Sequence, residues 1–122
     1  MSRRSTGALG EKIAAEFLER RGFEVLECNY LRPWGEIDII ALKNGVVHFV
    51  EVKTLSRENT QGALNHQPED LGDRRKLRKL SRTAELYMES KRDRREFQID
   101  VVGVILSHQT KTARCRLLEQ AL

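Results

Sequence analysis

The apolar and polar positions divide the chain into seven elements. From about Gly7 to Arg21, Leu9, Ile13, Phe17 and Leu18 recur at helical spacing, and Gly22 stops the helix. At ~100° per residue, Glu11 falls beside Ala14 and Leu18 at the edge of the apolar arc, whereas Glu16 and Glu19 fall opposite. Glu11 is therefore the acid of this helix that looks toward the sheet. Residues 23–28 read as a first strand, with Phe23, Val25 and Leu26 packed. Residues 29–34 read as a connection in which Pro33 biases Arg32 to an extended conformation. Two further apolar runs flank Asn44-Gly45, which supplies the positive φ angles of a type I′ hairpin turn. Residues 55–72 are polar, contain Gly62, Pro68 and Gly72, and predict a long loop. A second helix is predicted from Asp73 to Lys91, with Leu77, Leu80, Ala84 and Tyr87 or Met88 as its buried stripe. Strands over Phe97–Leu106 and Ala113–Leu118 follow. The order α-β-β-β-α-β-β predicts one α/β domain, a mixed sheet flanked by helices, with residues 1–6 as a frayed tail.

The hairpin from Gly35 to Thr54 carries the chemistry. A two-residue turn sets Lys43 opposite Val46, Ile40 opposite Phe49, Asp38 opposite Glu51 and Glu36 opposite Lys53. Glu36, Asp38, Glu51 and Lys53 then share one face. Carboxylates directly opposed across a sheet destabilise it, and Asp and Glu are poor strand formers. These acids also interrupt the apolar runs IDII and FVEVK. A divalent cation bound by hard oxygen ligands would offset the repulsion, with Lys53 at its rim. Two exposed acids on a solvated face are the ordinary alternative.

Charge and composition narrow the setting. The 122 residues are 39% hydrophobic and 33% charged, with one Trp, two Tyr and four Phe, so aliphatic side chains must fill the core. Trp34 is expected to anchor packing, with base stacking as its rival role. The net charge of +4 permits a polyanionic partner without requiring one. Cys28 and Cys115 lack metal-ligand spacing and predict reduced core thiols in a cytoplasmic protein. No apolar run approaches the ~20 residues of a membrane span. His48, His66 and His108 have no zinc-site spacing and are expected to be structural or solvent-facing. The densest positive charge lies on the second helix, in Arg74, Arg75, Lys76, Arg78, Lys79 and Arg82. Such a face is usually only solvated, but beside an acidic metal site it suits phosphate contacts.

The Asp-bearing strand followed by Glu-Val-Lys resembles the PD-(D/E)xK nuclease core. The wider set GEKIAAEFL, RGFEVLECNY, GEIDIIA, HFVEVKT, RRKLRKLSRTAELYM and QIDVVGV is similar to the bacterial YraN family, related to archaeal Holliday junction resolvases. The resemblance covers nearly the whole chain, most weakly in residues 55–72 and at the C-terminus. It implies a restriction-endonuclease-like fold. It also implies Mg²⁺ or Mn²⁺ on Asp38 and Glu51, Lys53 as the catalytic lysine, and Glu11 as an assisting helical acid. Ile37 stands where the superfamily pattern has Pro. Glu36 and Asp100 match family positions without an assigned role. Lys76 and Lys79 match basic positions and lead the nucleic-acid-binding candidates, with Arg75 and Arg82 beside them. The implied activity is endonucleolytic cleavage of branched or structured DNA, and symmetric cutting of two strands implies a homodimer. The rivals are a non-catalytic nucleic-acid-binding or accessory protein that keeps the fold, and a partner-binding adaptor that uses the basic helix.

Overall fold

The computed structural model describes residues 3–57 and 73–122, with the side chains of residues 3–5 left aside. The elements are α1 (Arg3–Arg20), β1 (Glu24–Arg32), β2 (Gly35–Lys43), β3 (Val46–Ser56), α2 (Arg74–Ser90), β4 (Phe97–Ser107) and β5 (Thr112–Leu118). The strands form one mixed sheet in the order β1-β2-β3-β4-β5. All neighbours are antiparallel except β3 and β4, whose parallel pairing requires the crossover that α2 supplies. The α/β fold read from the sequence is thus the fold observed.

The two helices cover opposite faces of this sheet. Ala14 and Leu18 of α1 pack with Ile39, Ala41, Val50 and Val102. Leu77, Leu80, Ala84, Tyr87 and Met88 of α2 pack with Ile37, Ile40, Phe49 and Val101 on the other side. Phe49 lies at the centre of that second core, edge-to-face against both Tyr87 and Phe97. Strands β3 and β4, covered on both faces, are almost wholly buried along their middles.

Local chemistry sets the element ends. Gly22 has φ +89°, its N–H bonds to the Glu19 carbonyl, and the Phe23 N–H bonds to the Leu18 carbonyl. This paired closure is the Schellman ending that the glycine predicts. Asp73 caps α2 by accepting a 2.9 Å bond from the Arg75 N–H. Asn44 and Gly45 both take positive φ, giving the expected two-residue hairpin.

The structure changes four local expectations. Helix α1 begins at Arg3, within the stretch expected to fray. Strand β1 continues to Arg32, because pairing with β2 carries through to Arg32↔Gly35 and overrides the turn character of residues 29–32. Leu26 is 37% exposed, since a bulge between Val25 and Glu27 turns it out of the core. Leu55 and Ser56, assigned to the long loop, belong to β3, while the rest of that loop from residue 58, with His66, lies outside the described residues. Among the described residues, no helix is long and apolar enough to cross a membrane.

Candidate functional site

Strands β2 and β3 pair from Lys43↔Val46 to Ile39↔Val50, and there the ladder stops. Beyond this point β2 stays with β1, in the pairs Tyr30↔Ile37 and Leu31↔Glu36. Strand β3 stays with β4, in the pairs Glu51↔Val101 and Val52↔Val102. The Val52 N–H, left without a strand partner on that side, donates instead to Asp38 Oδ2 at 2.8 Å. The expected pairs Asp38↔Glu51 and Glu36↔Lys53 are therefore not formed. The β1–β2 ribbon twists over at this level: Ile39 lies in the α1-side core and Ile37 in the α2-side core, although strict alternation would put both on one face. Asn29, with φ 55°, sits in the partner strand between the residues paired with them. Separation relieves the direct opposition of two carboxylates that a continued ladder would impose. It also opens a fork in which acids from both faces act on one another.

Four acids meet electrostatically at this fork. Glu51, on β3, is only 7% exposed, Asp38 and Glu11 are half-buried, and Glu36 is exposed. The Asp38 carboxyl is pushed up from 3.8 to about 7 by burial first and then by the charge of Glu51, with Glu11 adding to the rise. The Val52 bond and the Lys76 ammonium oppose it. Glu11 is also raised, by burial and by the charges of Glu36 and Glu51. Of the three acids of α1, Glu11 is thus the one turned inward, while Glu16 and Glu19 are exposed. A half-buried carboxyl whose pKa is raised among other carboxylates is a familiar mark of a functional site.

Lys76 enters this site in a role that sequence reasoning did not assign. Its Nζ lies 2.6 Å from Glu51 Oε1, and its own affinity for a proton is raised by that bond and by the charges of Glu51, Asp38 and Glu36. Lys53, two residues after Glu51 on β3, is exposed. The lysine in contact with the buried acid is therefore on α2. Its position in the helical run at i−1 from Leu77 was visible in the sequence, but its reach to β3 depends on how α2 crosses the sheet.

A groove of about 270 Å³ between the acids and the helix is lined by Glu36, Glu51 and, from α2, Lys76, Lys79, Leu80 and Thr83. Arg75, Lys79 and Arg82 are all exposed. At spacings of four and three they share one helix face.

His48 and Asp100 form a second polar centre within the sheet. His48 is 4% exposed and Asp100 0%. His48 Nδ1 lies 2.6 Å from Asp100 Oδ2, while Asp100 Oδ1 accepts from Gln98 Nε2 at 2.9 Å and from the Gln120 N–H at 3.0 Å. Among the described residues, His48, Asp100 and Glu119 alone form a triad of His, Cys, Asp or Glu ligand atoms within 4.8 Å of one another. Both buried members are already joined by hydrogen bonds, and the network ties the C-terminal segment to β4. Asp100 thus has a structural part, as His48 was expected to have. No local spacing signals the pair, because it depends on the parallel register of β3 and β4.

Three remaining expectations need correction or placement. Trp34 is 52% exposed in the β1–β2 turn and does not anchor the core. Cys28 is exposed and Cys115 half-buried, so neither is a core thiol; Cys28 lies on edge strand β1 and Cys115 on edge strand β5, where one flank has no neighbouring strand. His108 is exposed.

The family described as Uncharacterised protein family UPF0102 matches residues 10–104. A UPF0102 protein of Dictyoglomus thermophilum is 38% identical over 112 residues, 91% of each chain. One of Dictyoglomus turgidum is 38% identical over 122 residues, 99% of each chain. One of Campylobacter jejuni subsp. doylei is 41% identical over 98 residues, 80% of this chain and 81% of its own.

Proposed function

The chain belongs to the UPF0102 (YraN) family, and from its acid cluster we propose that it is a divalent-metal-dependent endonuclease acting on branched or otherwise structured DNA. The observation that carries this reading is the fork itself, where Asp38, fixed by the Val52 N–H at 2.8 Å, lies with the buried Glu51 and with Glu11, a crowding that raises the Asp38 carboxyl. Crowded hard-oxygen donors with depressed acidity fit a divalent cation, whose charge would relieve the repulsion. Asp38 and Glu51 would hold Mg²⁺ or Mn²⁺, and the sparse carboxylate set suits an ion that keeps several waters. When bound, the cation supplies neutralisation of phosphate charge and a more acidic water.

The chain's own residues would do the rest. Lys53 orients the attacking water, takes its proton, or faces the charge that builds on the scissile phosphate. Glu11 closes the acidic cluster from the α1 side. Lys79, Arg75 and Arg82 bind backbone phosphates and place the strand over the groove without reading bases. Two-strand cleavage by one site per chain calls for a two-fold pair of copies.

One observation favours the non-catalytic nucleic-acid-binding reading. Lys76 already neutralises Glu51 at 2.6 Å, so the buried acid has a resident partner. Incubation of labelled branched, single-stranded and duplex DNA, and matching RNA, with Mg²⁺, Mn²⁺ or EDTA separates the two. The nuclease reading expects metal-dependent cleavage of a branched substrate that Asp38→Asn abolishes. Binding with no cleavage under either metal would leave the accessory role in its place.

A further inference from the structure

The groove also has a lining of different chemistry. Leu31, Arg32 and Pro33, from the end of β1 and the β1–β2 turn, line it together with Lys79. Leu31 is 68% exposed and Trp34 52% exposed. Two large apolar side chains are thus left at the surface instead of in either core. The tip that carries them is held in place. Arg32 lies 4.2 Å over the Tyr30 ring and its Nη1 donates to the Leu31 carbonyl at 2.8 Å. Just beyond Trp34, Gly35 packs so closely on α2 that a Cβ there would collide with the Thr83 side chain. Trp34 is an exposed aromatic on a fixed turn whose neighbours Arg32 and Pro33 line the groove together with Lys79, and an aromatic next to cations combines the two features that single-stranded nucleic acids use.

We propose that the β1–β2 tip is a stacking platform for unpaired nucleotides, on which Trp34 and Leu31 receive bases while Arg32 and Lys79 hold the flanking phosphates. The inference rests on the nuclease reading for the location of the groove and adds the substrate class: DNA with a single-stranded segment next to the cleavage point. An acidic protein partner would satisfy the cations but leave the aromatic unused. A second copy of this chain would satisfy the apolar residues but bring the cations together.

Trp34 is the only tryptophan in the chain, so intrinsic fluorescence reports this position alone. The full chain in EDTA is titrated with a 15-nucleotide oligothymidine, a fork with single-stranded arms, and a blunt duplex. Labelled-DNA anisotropy measures binding in parallel. The proposal expects Trp34 emission to be quenched by the first two and little changed by the duplex. Trp34→Ala should weaken oligothymidine binding by about fivefold or more, and Trp34→Phe should largely retain it. Equal quenching by blunt duplex, no change in emission at saturating binding, or no binding of any probe would overturn the platform. So would an emission change that appears with protein concentration alone and vanishes in Leu31→Ala, which would make the tip a contact between copies. Because every arm here is run without metal, absence of cleavage in the separate Mg²⁺ and Mn²⁺ incubations refutes the nuclease reading without touching this one. Cleavage with an unresponsive Trp34 does the reverse.

Discussion

Replacing Asp38 with Asn tests the site through stability alone. In the folded chain the Asp38 carboxyl is raised from 3.8 to about 7, by burial first and by Glu51 next. At ~1.4 kcal/mol per pK unit, keeping it ionised costs the folded state about 4 kcal/mol above neutrality. The folded value lies above the unfolded one, so the native state holds a proton that the unfolded chain has lost. Stability therefore falls as pH rises from about 4 to about 7 and stays low above that. Asn has nearly the same shape and can still accept the 2.8 Å bond from the Val52 N–H through its carbonyl oxygen. It must, however, find a partner for a half-buried amide, at a cost of ~1–3 kcal/mol. The net gain for Asp38→Asn in EDTA at pH 8.5 is thus about 2 kcal/mol, a rise of roughly 6–10 °C in Tm for a domain of this length. At pH 5, where the native Asp38 is protonated, that difference should shrink toward zero or reverse. Saturating Mg²⁺ or Mn²⁺ at pH 8.5 should raise the wild-type Tm by mass action, since the ionised native site binds the cation, and should leave Asp38→Asn unmoved. Calorimetric or circular-dichroism melts at both pH values supply the four comparisons. A wild type more stable than Asp38→Asn at pH 8.5, or a difference independent of pH, would refute the claim that Asp38 is a crowded, desolvated carboxylate.

Two further predictions concern the basic helix and the polar network. Lys79→Glu should weaken duplex DNA binding and reduce the slope of log affinity against log salt by about 0.9 for the lost phosphate contact. Salt titrations by anisotropy measure it, and an unchanged slope moves the contact surface off α2. The same reversal at Lys76 combines two effects, because that ammonium is also the partner of Glu51. Asp100→Ala should destabilise the protein by ~3 kcal/mol or more, since it strands His48, Gln98 and the Gln120 N–H together. Urea unfolding checks this, and a loss under ~1 kcal/mol would show that the network is readily replaced by water.

Much of the fold is local chemistry and was legible along the chain. The stripe Leu77, Leu80, Ala84, Tyr87 and Met88 gave α2 its buried face. Asp73 and Gly22 marked helix ends through the orphaned backbone groups they satisfy or close. Asn44-Gly45 set the register as far as Ile39↔Val50, because a two-residue turn leaves only one way to pair the residues beside it. Glu11 was distinguishable from Glu16 and Glu19 because helical period alone separates the inner arc from the outer.

Beyond Ile39, the tertiary structure took over. Each strand of the hairpin has a second neighbour, and the pull of β1 on one and β4 on the other parts them at Asp38 and Glu51. No turn propensity encodes that competition. The placement of Trp34 in solvent, the reach of Lys76 to Glu51 and the joining of His48 to Asp100 all depend on elements far apart in sequence. The residue types of the site were thus set by the sequence. Their distances, burial and charge neighbours were set only when α1, α2 and the forked sheet came together, because electrostatic coupling depends on separation and desolvation.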